Sequence, residues 1–192
     1  YYPEIFIFEL FIIPLYVNLL YRYMIRNQQY HQLLQVYKAS AGSGKTYQLA
    51  YNYIKYLFLA QEAYIMDDDS SKWYPNAHRT ILAVTFTNKS TDEMKNRILD
   101  RLFQLSKNNF SSDIADYVEK LKHDCYFLAD KDDSVFSSVA GRLLSDLLQD
   151  FPSFRVSTID SFFQSIVRSF AQELNIDMNY RVELDTDVII EE

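Results

Sequence analysis

The stretch from Leu33 to Phe58 limits the possible folds more than any other part of the chain. Leu33-Leu34-Gln35-Val36-Tyr37 is a short apolar run with the character of a buried strand, and Ala39-Ser40-Ala41-Gly42-Ser43-Gly44-Lys45-Thr46 is a loop of small residues. Leu49, Ala50, Tyr53, Ile54, Leu57 and Phe58 then recur on one face at helical spacing. The loop fits G-x-x-x-x-G-K-[ST] at every position but the first, where Ala39 stands for glycine. Gly42 and Gly44 suit a backbone whose N–H groups turn inward around an anion, because such a turn needs positive φ and no side chain in the way. The order strand, glycine loop, helix therefore predicts a phosphate-binding unit over Ala39–Thr46. Lys45 would reach the β- and γ-phosphates, the Thr46 hydroxyl would bind Mg²⁺, and the helix beginning near Lys45 would point its positive end at the same phosphates. The competing reading is a tight strand-to-helix turn with an exposed Lys45; the flanking strand and helix favour phosphate binding and so ATP with Mg²⁺.

Composition sets the limits within which this unit works. The 192 residues are 48% apolar and 23% charged, enough for one compact domain with a core. A net charge of −7 argues against coating nucleic acid through bulk positive charge, so any such contact must be local or rely on stacking. Cys125 is the single cysteine, and His31, His78 and His123 are scattered, which excludes an internal disulfide and a histidine metal cluster and fits a reducing, cytoplasmic setting. Residues 5–25 are strongly apolar, but Glu9, Pro14, Asn18 and Arg22 interrupt them, so a packed extension or upstream sequence outside the functional protein is favoured over a membrane span. Tyr1 at one end and Val188-Ile189-Ile190-Glu191-Glu192 at the other read as cuts in something larger, and Met24 as a plausible start.

Beyond the loop, strands and helices alternate in the pattern of a parallel α/β sheet. Residues 60–79, with Asp67-Asp68-Asp69-Ser70-Ser71 and Trp73-Tyr74-Pro75-Asn76, read as a surface loop whose acids are solvated rather than bound to a cation. Thr80–Phe86 reads as a strand covered on both faces, followed by a helix capped by Asn88 with a stripe of Met94, Ile98, Leu102 and Leu105. Helices near 113–128 and 134–150 form a helical insert (about 110–150), Phe154–Thr158 is a third strand, and Phe162, Phe163, Ile166, Val167, Phe170 and Leu174 mark a last helix. Within it Phe163, Ile166, Val167 and Phe170 are expected in the core.

The loop alone does not separate helicases from kinases, GTPases, transporters or recombinases. Two strand ends carry more information, since open α/β sheets bind ligands at the carboxyl ends of their strands. At the first, Phe86 and Asn88 would stack on and hydrogen-bond to an unpaired base while Thr85 and Thr87 reach backbone phosphates. Equally open is a buried Phe86 beside a helix cap at Asn88. At the second, Val156-Ser157-Thr158-Ile159-Asp160-Ser161, Asp160 is either a helix N-cap or part of the same ligand surface.

The string Thr85-Phe86-Thr87-Asn88-Lys89, followed by Glu93-Met94-Lys95 and Arg97-Ile98, resembles the second conserved motif of superfamily 1 helicases of the UvrD/Rep type, which contacts single-stranded DNA. That family usually has two alanines where Ser90 and Thr91 stand. Thr158-Ile159-Asp160-Ser161-Phe162 resembles the next DNA-contacting motif, in the Asp-Ser-Phe form found in RecB- and AddA-like helicase-nucleases, which implies DNA contacts for Thr158, Asp160 and Ser161. The resemblance spans residues 34–183, with 1–33 an extension of uncertain status and 184–192 the start of a next segment. It implies a P-loop, RecA-like parallel sheet with helices on both faces, incomplete here, in an ATP-dependent 3′-to-5′ DNA helicase of repair or recombination.

Partners implied by the resemblance are single-stranded DNA, a second RecA-like domain of the same protein and a nuclease subunit; a membrane is not among them. The family's adenine-reading glutamine is not identifiable among Gln28, Gln29, Gln32 and Gln35. The Asp-Glu pair that holds Mg²⁺ is not assigned to Val188–Glu192, and the transition-state arginines of a second domain are missing. By itself the chain is thus expected to bind nucleotide weakly and not to turn it over. The alternatives are another P-loop enzyme with a small substrate at the two strand ends, or an inactive helicase gene fragment.

Overall fold

The computed structural model describes residues 7–8, 36–37, 45–67 and 73–171. Of the phosphate-loop reading, residues 39–44 lie outside the described residues, as do Gln28, Gln29, Gln32 and Gln35, Asp68 and Asp69, Leu174, Val188–Glu192 and all of the apolar stretch 5–25 except Ile7 and Phe8. The described chain is α/β: β1 (Ile7–Phe8), β2 (Val36–Tyr37), α1 (Lys45–Asp67), β3 (Ala83–Thr85), α2 (Asn88–Leu105), α3 (Ser112–Asp124), α4 (Asp133–Gln149), β4 (Val156–Thr158) and α5 (Ile159–Ser169).

The strands pair in two ways. β3 and β4 are parallel, with Ala83 opposite Val156, Val84 opposite Ser157 and Thr85 opposite Thr158. A parallel pair needs a long crossover, here supplied by α2, α3 and α4. β2, expected as a strand of the parallel sheet, instead pairs antiparallel with β1, Ile7 opposite Tyr37 and Phe8 opposite Val36. Extended backbone presents unpaired N–H and C=O groups to any other extended segment, and the apolar extension contains one.

α1 is buried on most of its circumference. Tyr53, Ile54, Leu57 and Phe58 are buried as the helical spacing predicts, and Tyr51, Asn52 and Gln61 are buried with them. Met94, Ile98, Leu102 and Leu105 form the buried stripe of α2, and Ile114, Val118 and Leu121 that of α3. Phe136, Ala140, Leu143 and Leu147 line the buried face of α4, which packs extensively on α2. Phe58 and Phe136 stack with centroids 5.2 Å apart, and Tyr53 meets Phe154 edge to face at 5.4 Å, so α1 is tied to both the insert and the approach to β4.

The described residues of the span 60–79, which are 60–67 and 73–79, do not form the surface loop expected of them. α1 continues to Asp67, Trp73 and Tyr74 pack against the core, and Ala77 and His78 are buried in a 3-10 turn, Ala77–Thr80. The cause is a set of polar anchors joining residues distant in sequence. The Gln61 amide donates to the Tyr74 carbonyl (2.6 Å) and accepts from the Tyr74 N–H (3.0 Å). Trp73 Nε1 donates to Asp146, and the Arg142 guanidinium lies over the Trp73 indole ring, 4.4 Å from its centre. Asp150 receives Arg79 Nε at 2.6 Å and faces His78 Nε2 at 2.8 Å, and Ser153 donates to its other oxygen. These contacts fix the chain that enters β3. The 3-10 turn takes Thr80 from the expected strand 80–86, which is observed only over Ala83–Thr85 with Ala83 alone of the three buried.

α5 differs from expectation as well. No residue within it is buried: Phe163 is 56% exposed, Ile166 is also exposed and Val167 half-buried, and Phe170 at its C-cap is 54% exposed. Helical periodicity records which face is apolar, whereas burial depends on another element lying against that face. Among the described residues none covers it. Nor is any helix among them long and apolar enough to cross a membrane.

Candidate functional site

The parallel register brings the two strand ends together. Thr85 is opposite Thr158 on the last rung of β3–β4, so Thr85–Asn88 and Thr158–Ser161 emerge side by side at the carboxyl edge of the pair. Each strand turns into a helix through a threonine cap. Thr87 Oγ1 accepts from the Ser90 N–H (3.1 Å) at the start of α2, and Thr158 Oγ1 accepts from the Ser161 N–H (3.2 Å) at the start of α5. The serine hydroxyls fold back onto the same threonines, Ser90 Oγ 2.8 Å from Thr87 Oγ1 and Ser161 Oγ 2.9 Å from Thr158 Oγ1. Both junctions thus satisfy a helix N–H with a Thr-x-x-Ser arrangement.

The caps correct two expectations. Thr87, not Asn88, caps α2; Asn88 is the first residue of the helix and its side chain is exposed. Thr158, not Asp160, caps α5, and Asp160 is an exposed acid in the first turn, where it complements the positive end of the helix. Sequence favoured Asn and Asp because both cap well, but only a residue in extended conformation with its oxygen toward the free N–H can do so. Thr87 has φ −130° and ψ 153°, and Thr158 φ −75° and ψ 158°.

The junctions differ in length. On β4 the last strand residue is itself the cap, whereas on β3 the strand ends at Thr85 and the cap is Thr87. Phe86 is the one residue between them, and it is 68% exposed, the highest value among the large apolar residues described. The buried-Phe86 reading is therefore excluded. Thr87 and Asn88 are exposed beside it, and so is Lys89, whose ammonium lies 4.0 Å from Glu93.

Thr85, expected to face a ligand, is half-buried with its hydroxyl turned inward. Thr85 Oγ1 lies 2.6 Å from Thr91 Oγ1, and both hydroxyls are 3.2 Å from the Thr87 carbonyl. Thr158 is buried and committed to its cap, while Ser161 and Asp160 are exposed. The outward-facing members of the edge are accordingly Phe86, Thr87, Asn88, Asp160 and Ser161, held from beneath by Thr85 and Thr158. Sequence reasoning did not single out Ser90 and Thr91 as contributing; hydroxyls at positions where the resembling motif usually has alanine were the available signal.

Near the phosphate-loop reading, α1 begins at Lys45 and Thr46 is half-buried in its first turn. Tyr47 follows, edge-on to Tyr117 at 5.9 Å, and the Arg101 guanidinium lies 5.2 Å from the Tyr117 ring centre and 3.4 Å from Asp113. Desolvation pushes the Tyr117 hydroxyl far above its ordinary range. No group of three His, Cys, Asp or Glu able to hold a metal occurs among the described residues.

The model of the UvrD/REP helicase N-terminal domain family matches residues 25–191, a wider span than the stretch 34–183 on which the motifs rest. No curated protein and no solved structure matches the chain.

Proposed function

Since the chain belongs to the UvrD/REP helicase N-terminal domain family, we propose that it is the ATP-binding portion of a 3′-to-5′ DNA helicase that grips single-stranded DNA along the carboxyl edge of β3 and β4. The observation that carries this reading is the register of Thr85 with Thr158, which aligns the two motif-bearing strand ends and leaves Phe86 projecting from the edge they share. An exposed aromatic stacks on any base, because every base has a π-face, so the protein advances without reading sequence. Thr87, Asn88 and Ser161 supply donors for phosphate and base oxygens. Asp160, a carboxylate that only accepts, is suited to a base or sugar donor and repels phosphate. A narrow track of this kind is compatible with the net charge of −7, since it does not need a broad basic surface.

ATP with Mg²⁺ is placed by this proposal at Ala39–Thr46. The described part of that segment fits an anion: α1 begins at Lys45 and runs 23 residues, so its first N–H groups lack intrahelical partners. Lys45 would hold the β- and γ-phosphates and the Thr46 hydroxyl the metal, which supplies charge neutralisation when bound. A second RecA-like domain closes on the nucleotide and reopens after hydrolysis, and the alternating grip at the Phe86 edge moves the strand; a nuclease subunit and a cytoplasmic setting complete the proposal. The test is ATP hydrolysis and strand separation by the complete gene product with and without single-stranded DNA. Hydrolysis stimulated by DNA and abolished by Lys45→Ala is expected, and hydrolysis indifferent to DNA would sink the reading.

A further inference from the structure

Phe86 is exposed, so packing does little to fix where its ring points; that direction is set by the backbone of residues 85–87. This short segment is held from below by hydroxyls. Thr91, 7% exposed in the first turn of α2, places Oγ1 2.6 Å from Thr85 Oγ1 and 3.2 Å from the Thr87 carbonyl, which also accepts the Thr91 N–H at 3.0 Å. Each hydroxyl carries one proton, so one of the pair donates to the carbonyl and the other donates to its neighbour, a two-link chain that closes across Phe86. One end of the link is the last strand residue, the other the cap, and the only residue spanned is the aromatic one.

We propose that Thr91 is a positioning residue for DNA: its hydroxyl, acting through Thr85 and the Thr87 carbonyl, holds the turn in the conformation that presents Phe86 to a base. This rests on the reading of the β3–β4 edge as the DNA track. Thr91 itself is buried and touches no ligand. Without its hydroxyl the Thr91 contacts with Thr85 and with the Thr87 carbonyl are lost and only the direct contact of Thr85 Oγ1 with that carbonyl (3.2 Å) still spans Phe86, so the turn is held less tightly and binding must order it further. The backbone bond from the Thr91 N–H survives any side-chain change, so the helix start is retained.

The experiment is a double-mutant cycle on the complete gene product, reading affinity for a fluorescent oligothymidine by anisotropy. Thr91→Val keeps the shape and removes the hydroxyl; a roughly 3- to 10-fold loss of affinity is expected, the scale of one net hydrogen bond. Thr91→Ser should restore most of it. In a Phe86→Ala background Thr91→Val should have no further effect, because the residue it positions is gone. An equal loss in both backgrounds, or failure of serine to rescue, overturns the proposal by showing a general packing defect. If Phe86→Ala weakens binding and Thr91→Val does not, positioning by Thr91 fails while the DNA track stands. If Phe86→Ala has no effect either, the track reading fails and the proposal with it.

Discussion

Thr85 and Thr158 close the last rung of the parallel pair β3–β4, yet their hydroxyls have different tasks: Thr158 caps the helix that follows it, whereas Thr85 bonds sideways to Thr91 and leaves capping to Thr87. The difference of two residues between strand end and cap is why one junction turns tightly into its helix and the other carries a projecting phenylalanine.

Phe86→Ala should separate binding from folding. With 68% of the residue exposed, stability should change by less than about 0.5 kcal/mol. Affinity for single-stranded DNA should fall by about 1–3 kcal/mol, the cost of losing one base–aromatic stack. Thermal melting and oligonucleotide anisotropy on the same preparation measure the two quantities, and a large drop in melting temperature would contradict the exposed placement of the ring.

Thr158→Ala should remove the α5 cap and cost about 1 kcal/mol, while Thr158→Ser, which keeps the oxygen, should cost much less. Urea unfolding of the two variants provides the comparison. Equal losses would mean that the buried methyl group, not the bond to the Ser161 N–H, is what matters.

Gln61→Leu tests the anchor between α1 and the segment entering β3. Gln61 is fully buried and serves both the N–H and the carbonyl of Tyr74, so an apolar replacement removes both bonds at once. A loss of about 1–3 kcal/mol is expected in denaturant unfolding. Hydrogen exchange should quicken at Tyr74; unchanged exchange there would remove Gln61 from this role.

Asp150 predicts an acid-sensitive staple. Its bond to Arg79 and then that to His78 hold the carboxyl well below the ordinary carboxylate range. A folded-state pKa lower than the unfolded one means that the stabilisation is complete above the unfolded value and is lost as pH falls through the folded one, so the loss begins near pH ~4 and continues downward. Asp150→Asn should lower the melting temperature at neutral pH and show a shallower further decline below pH ~4. A variant with the same acid limb as the parent would assign that limb to other carboxylates.

Much of the architecture is legible in the chain because it is local. The stripes Met94-Ile98-Leu102-Leu105 and Ile114-Val118-Leu121 predict buried helix faces, and those residues are buried. The Thr85–Asn88 and Thr158–Ser161 strings mark two strand ends as candidate ligand surfaces, and the register brings them side by side. The described segment 73–79 was not legible in the same way: Pro75 and Asn76 have loop character, but Gln61 on α1 and, from far along the chain, Asp146 and Asp150 bind it. Long-range hydrogen bonds leave no periodic trace.

By itself the sequence determined which faces are apolar, where helices begin to within a residue or two, and which strand ends carry polar and aromatic groups, since these follow from side-chain spacing and local backbone preference. Only the tertiary structure decided that Thr87 and Thr158 are the caps, that Phe86 is exposed, that the apolar face of α5 lies open among the described residues, and that Val36–Tyr37 pairs with Ile7–Phe8. The reason is physical: a cap requires one particular backbone conformation, and burial or strand pairing requires a second element in place, neither of which the identity of a single residue specifies.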